Sequence, residues 1–204
     1  MSKLLVVGLI LLAFMSVPSY ASANLLSNPG FESDFANWEQ WNGWDSTINE
    51  WGHTGLKSAA GWWATSGWQD VTLSNPSVAH TVGGWMYDDV AGGESLRNGV
   101  YALIRVEFKN ASDEIRGTWS TGNLTGGDLI DDAWNNMTAL VTPSSYGGDV
   151  TNATLAWEVN NSGSGDGRGI FDDMIVEPIP EPTSLLLLGS GLVGLLAFGK
   201  RTIK

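Results

Sequence analysis

From Val100 to Lys109 the chain alternates: Val100, Ala102, Ile104, Val106 and Phe108 are apolar, with Tyr101, Leu103, Arg105, Glu107 and Lys109 between them. A period of two is that of a pleated strand, so the first set is predicted to face a core and the second to face away. Turn-forming Asn110-Ala111-Ser112-Asp113 follows, and residues 115–120 are predicted to return as the second strand of a hairpin. Further strands are predicted at 68–73, 81–87, 134–142, 153–159 and 170–176. In the fourth of these Leu155, Trp157 and Val159 alternate with Thr154, Ala156, Glu158 and Asn160. Gly, Asn, Ser, Thr and Asp punctuate the chain between them, and apolar residues nowhere keep helical spacing from 24 to 178. Short strands without helices to carry parallel crossovers predict an all-β fold, an antiparallel β-sandwich of the jelly-roll type.

The two ends break this pattern. Lys3 precedes an apolar run from Leu4 to Phe14, then Val17, Pro18 and Ala21-Ser22-Ala23. That is the order of a secretory signal, predicted as an apolar helix over 1–23 with cleavage after Ala23, and the run falls short of the roughly 18 residues of a spanning helix. The sandwich domain is then predicted over 24–178, and a tail over 179–204. Pro180-Glu181-Pro182 stops strand and helix alike. Residues 183–198 are almost wholly apolar, and Lys200, Arg201 and Lys204 follow, so a hydrophobic helix held with its basic end on the cytoplasmic side is expected. This order of Pro-Glu-Pro, apolar segment and basic cluster resembles the PEP-CTERM sorting signal of exported proteins in Gram-negative bacteria. The resemblance implies an exosortase as partner, transient anchoring in the inner membrane, and a surface or extracellular destination, in bacteria that make exopolysaccharide. An ordinary C-terminal transmembrane anchor would leave the surface location unchanged.

Composition narrows the partners. Between Asn24 and Pro178 stand 21 acidic and 6 basic side chains, a net charge near −15. Such a surface repels phosphate backbones and anionic lipid heads, which argues against nucleic acid and for a neutral polymer or a divalent cation. With no cysteine in the chain, stability rests on packing, helped by an ion if one binds. All 11 tryptophans fall in this segment, more than a core of its size uses, so some are expected to serve a ligand. Trp38, Trp68, Trp85 and Trp157 are assigned to the core.

Asn24-Leu25-Leu26-Ser27-Asn28-Pro29-Gly30-Phe31-Glu32, followed by Trp38, resembles the opening of carbohydrate-binding modules of the family 4/9/16/22 group, which have a galactose-binding-like jelly roll. Ser58-Ala59-Ala60 through Gly67-Trp68-Gln69-Asp70-Val71 resembles their second and third strands, and Ile170-Phe171-Asp172-Asp173-Met174-Ile175-Val176 their closing strand. The resemblance implies a structural Ca2+ held by Glu32 and Asp172 with backbone carbonyls completing the shell. A hard cation needs several oxygens, and these two carboxylates would tie the two ends of the domain together. It also implies a polysaccharide or surface glycan as ligand, held by aromatic rings against the apolar faces of sugars and by polar groups on their hydroxyls. Five residues are singled out for that role. Trp44 and Trp51 lie, with Trp41, in a Gly- and Asn-bearing loop stretch expected to rim a cleft. Trp63 neighbours Trp62, so on a strand one of the two must point outward. Tyr101 and Arg105 lie on the non-core side of the strongest strand.

Catalysis is not expected. His53 and His80 are the only histidines, and neither sits in a nucleophile motif. Asp88-Asp89, Asp131-Asp132 and Asp172-Asp173 could supply a hydrolytic carboxylate pair, but adjacent residues of a regular strand point to opposite faces. Two non-enzymatic classes remain: a glycan-binding domain, and a structural or adhesive biofilm matrix protein that binds no sugar.

Overall fold

A computed structural model describes residues 23–96, 99–161 and 167–179, and its compact β unit runs Ala23–Ile179. The expected signal helix over 1–22 and the tail from Pro180 onward, with its apolar helix, lie outside the described residues.

Among the described residues eleven strands run in chain order: β1 (Glu39–Trp41), β2 (Ser46–Asn49), β3 (Ser58–Trp62), β4 (Thr65–Thr72), β5 (His80–Tyr87), β6 (Val100–Asn110), β7 (Ile115–Ser120), β8 (Trp134–Asn136), β9 (Ala139–Val141), β10 (Val150–Asn161) and β11 (Arg168–Pro178). A five-stranded sheet has the order β1-β4-β10-β6-β7, and a six-stranded sheet has the order β2-β3-β11-β5-β8 with β9 also on β5. Every pairing within the two sheets is antiparallel. The fold is therefore the all-β antiparallel sandwich that the alternating pattern predicts.

The core lies between the sheets. Val100, Ala102, Ile104, Val106 and Phe108 of β6 and Leu155, Trp157 and Val159 of β10 are fully buried, so the predicted phase of both strands holds. Trp157 is the largest buried side chain and lies with its ring centroid 5.2 Å from Phe171 and 6.2 Å from Phe35. Glycine makes room for it: a Cβ at Gly67 would stand 2.5 Å from the Trp157 ring, and one at Gly61 would stand 3.1 Å from it. Trp38 is buried as expected.

Trp68 and Trp85 differ from the expectation. In β4 the inward set is Thr65, Gly67, Gln69 and Val71, which leaves Trp68 half-buried on the outer face. Gln69 occupies the inside because it answers the opening segment, accepting from Ser27 N at 2.6 Å and donating to Ser27 O at 2.9 Å. Trp85 is likewise half-buried on the outer face of β5, stacked on His53 at 3.8 Å.

The segment predicted as one strand over 134–142 is broken into β8 and β9. The break lies beside Gly83, whose φ is +126°, where a Cβ would stand 2.1 Å from the Met137 carbonyl. On the other side of β5 the β11 register slips between Asp172 and Ile175, with Asp173 at φ +44°. One irregularity thus crosses three neighbouring strands. The opening segment closes on β11 through Leu25 N to Val176 O at 2.8 Å and Met174 N to Pro29 O at 3.0 Å.

Candidate functional site

The register of three central strands builds a groove on the outer face of the five-stranded sheet. Trp68 of β4 stands opposite Ala156 of β10, which stands opposite Arg105 of β6. One step along, Asp70, Thr154 and Glu107 make a parallel row, and on the other side so do Ser66, Glu158 and Leu103. Alternation sends all of these outward, and the small Ser66, Thr154 and Ala156 form a low floor. The result is a cleft of about 280 Å³ lined by Ser66, Trp68, Arg105, Glu107, Lys109, Thr154 and Ala156. Arg105 is fixed in place: its Nε donates to Glu158 Oε1 at 2.6 Å, and its guanidinium also donates to Glu107. Planar donors held by two carboxylates keep a single orientation. Trp41, 58% exposed, stands opposite Ser66 on β1, and Tyr101 stands opposite Asn160 at the far end of β6.

A second cleft, of about 380 Å³, is lined by Trp44, Asp45, Trp62, Trp63 and Glu94. Trp44 sits in a short 3-10 turn, Gly43–Asp45, and Trp63 in the turn between β3 and β4. The two turns are tied together: Asn42 Nδ2 donates to Ala64 O at 2.8 Å, and Thr65 Oγ1 lies 3.1 Å from the carbonyls of both Trp41 and Asn42.

Trp51 lies elsewhere. Its segment straps across the outer face of the six-stranded sheet, where the Trp51 ring meets Tyr87 edge-on at 4.9 Å and Trp134 at 5.7 Å. The strap buries Ser58, Ala60, Ile170 and Asp172, all outward positions that would otherwise meet water. The five residues predicted for sugar therefore fall in three places: Tyr101 and Arg105 on the five-stranded sheet, Trp44 and Trp63 at the second cleft, and Trp51 in the strap. Sequence reasoning placed Trp41 in a loop, because β1 carries no alternating apolar signal, and missed Trp68, because the inward set of β4 is mostly polar or glycine.

Glu32 and Asp172 converge on this strap. Glu32 Oε1 accepts from Leu56 N at 2.8 Å and Lys57 N at 2.9 Å, while Asp172 Oδ2 accepts from His53 N at 2.6 Å and Thr54 N at 3.3 Å. Burial pushes the Asp172 carboxyl up to about 7 although three backbone amides pull the other way. Around Gly52 the oxygens crowd: a Cβ there would stand 2.3 Å from Lys57 O and 2.7 Å from both Thr54 O and Asp172 Oδ2. That crowding leaves no room for a side chain at position 52, and the buried carboxylate and the two carbonyls beside it are oxygens of the hard kind that calcium takes. Among the described residues no group of three His, Cys, Asp or Glu side chains is placed to hold a metal, so the carbonyls are essential to that fit.

The other Asp pairs are built into turns. Asp88 is buried, accepting from Leu96 N at 2.9 Å and Ser95 Oγ at 3.0 Å, and Asp89 meets Arg168 at 2.6 Å. Asp132 accepts from Ala91 N at 2.8 Å.

Residues 178–201 match the PEP-CTERM protein-sorting motif, which marks the chain for export and sorting to the cell envelope. No curated protein sequence matches the chain. Among solved structures it is similar to the enzymatically active domain of tailspike protein 4 of Bacteriophage CBA120, at 13% identity and a TM-score of 0.55 over 76% of this chain and 21% of that one. It is similar to a cyclase from Fischerella sp. TAU, at 10% identity and a TM-score of 0.56 over 80% of this chain and 100% of that one. Carbohydrate-binding modules from the β-sandwich superfamily are also similar, at 11% identity and a TM-score of 0.48 over 77% of this chain and 63% of that one. Further neighbours are mainly carbohydrate-binding modules. The chain spans only 21% of the tailspike chain, and identities this low speak for the shared sandwich fold alone.

Proposed function

We propose that this exported chain is a non-catalytic glycan-binding protein of the cell surface or extracellular matrix, and that its groove is the face of the five-stranded sheet. The row Trp68–Ala156–Arg105 supports this reading. An indole offers an apolar wall to a sugar face, Ala156 keeps the floor low enough for a pyranose ring, and the Arg105–Glu158–Glu107 cluster presents oriented donors and acceptors to hydroxyls. Trp41 extends the wall along the β1 edge. An exosortase would act on the tail after Pro180-Glu181-Pro182 had been held at the inner membrane, leaving the sandwich outside.

Calcium belongs to the same proposal as a structural ion. Glu32, Asp172 and the carbonyls of Thr54 and Lys57 would hold it. When bound it would supply the charge that a buried carboxylate lacks and fix the strap to the sheet.

A second reading, a structural or adhesive biofilm matrix protein that binds no sugar, is favoured by one observation: Arg105 is already satisfied by Glu107 and Glu158. Affinity electrophoresis decides between them. The full chain should be retarded in gels containing a soluble neutral polysaccharide, and Trp68→Ala should migrate freely. Absence of retardation by any polymer, the host's own exopolysaccharide included, overturns the glycan reading.

A further inference from the structure

The second cleft differs from the groove in its chemistry. Three indoles line it, and the only charged side chains lining it among the described residues are the carboxylates of Asp45 and Glu94. Trp44 is 96% exposed and Trp63 is 49% exposed. Trp63 also holds φ +51°, a backbone conformation unusual for a bulky residue, so the turn keeps this ring outward at a cost in strain.

One indole of the cleft already shows the recognition it favours. The Arg168 guanidinium carbon lies 5.4 Å from the centre of the Trp62 ring, within cation–π range. Its edges meet Asp89 at 2.6 Å and Glu94 at 2.9 Å. Arg168 is thus consumed by these two carboxylates. Among the described residues Asp45 is held only by the Asn42 side-chain amide, which carries no charge, and none of their cations lies against Trp44 or Trp63. Three carboxylates against one guanidinium among these residues leave the neighbourhood negative, beside two indoles with open faces.

We propose that this cleft is a second glycan site, and that it takes a sugar bearing a protonated amine. The pyranose face stacks on Trp44 or Trp63, while the ammonium lies against an indole face and is balanced by Asp45 and the outer oxygen of Glu94. Neither a neutral sugar nor an anionic one uses the uncompensated charge of Asp45. The site is separate from the groove, since the two share no lining residue.

Titration calorimetry of the full chain with a glucosamine hexamer, its fully N-acetylated counterpart and spermine tests this. The glucosamine hexamer should bind at least about tenfold tighter than the acetylated one, and Trp44→Ala and Asp45→Asn should each weaken it about tenfold. In Trp68→Ala, with the groove disabled, the glucosamine hexamer should still bind tighter than the acetylated one. Trp44 is so exposed that its truncation leaves the fold intact, which circular dichroism checks. Equal binding of the acetylated hexamer overturns charge recognition. Indifference to Trp44→Ala overturns the site, and spermine binding with the same dependence on Trp44 overturns the sugar. Failure here, with retardation by a neutral polymer still lost in Trp68→Ala, leaves the groove reading standing.

Discussion

Asp172 and Asp173 are neighbours in the chain, yet both grip His53 and Thr54. Asp172 Oδ2 accepts from the backbone amides of the two residues, while Asp173 accepts from His53 Nδ1 at 2.7 Å and Thr54 Oγ1 at 2.7 Å. In a regular strand one of them would face away. Asp173 at φ +44°, within the slipped register of β11, turns both carboxylates toward the strap.

The strap is therefore expected to be the stability element most sensitive to ions. If calcium joins Glu32 and Asp172, a chelator should lower the melting temperature of the full chain by several degrees, at about 2–4 °C for each kcal/mol lost. Asp172→Asn should melt lower from the start and no longer respond to the chelator. A wild-type melting curve indifferent to the chelator removes the ion.

Groove binding is expected to concentrate in few residues. Arg105→Ala should weaken a retained polysaccharide by roughly tenfold or more, as truncation of a central Arg anchor does. Arg105→Lys should recover only part of this, because an ammonium cannot hold two carboxylates in the planar fork. Gel retardation measured over a series of polymer concentrations reads both.

Gly67→Ala probes the core from its tightest point. The added methyl would meet the Trp157 ring at 2.5 Å, and overpacking of this kind costs about 1–3 kcal/mol. Trp157→Ala should cost more, about 3–5 kcal/mol. Chemical denaturation of the two variants gives the comparison, and a Gly67→Ala as stable as wild type would contradict the packing.

His80 makes stability depend on pH. It is fully buried, Nδ1 lies 3.0 Å from Val78 O, and Nε2 has no partner among the described residues. Burial holds its pKa below the usual histidine value, against the Val78 carbonyl, which works to raise it. Below about 6.5 the unfolded chain takes up a proton that the folded chain refuses. The stability this neutral ring contributes is therefore complete above that pH and is lost as pH falls toward the folded value. His80→Gln should lose less stability than wild type, or gain more, on going from pH 7 to pH 5, because the opposing contribution of Asp172, whose raised pKa favours the folded chain as pH falls, is left in place. Parallel profiles would show that the ring is not the group responsible.

The strands were legible in proportion to how plainly their inward residues are apolar. β6 and β10 carry unbroken alternation, and both their extent and their facing follow from it. β4 does not, because Thr65, Gly67 and Gln69 face inward, so its most conspicuous residue, Trp68, belongs to the outer face. β1 and β2 are three and four residues long, which leaves no local periodicity to read. The same limit applies to the site. Arg105 is legible as an outward residue, but its alignment with Trp68 across Ala156 is a matter of register between strands.

The chain by itself determines the sorting motif, the acidic and cysteine-free character of the domain, and the β class, because each is written in local order: residue type, period and spacing. Tertiary structure alone decides which indoles are walls and which are filling. It also decides that Glu32 and Asp172 reach one loop, and that two adjacent aspartates act on the same side. These outcomes depend on strand register and on a bulge. Register is set by packing between segments up to about a hundred residues apart, and no local pattern encodes it.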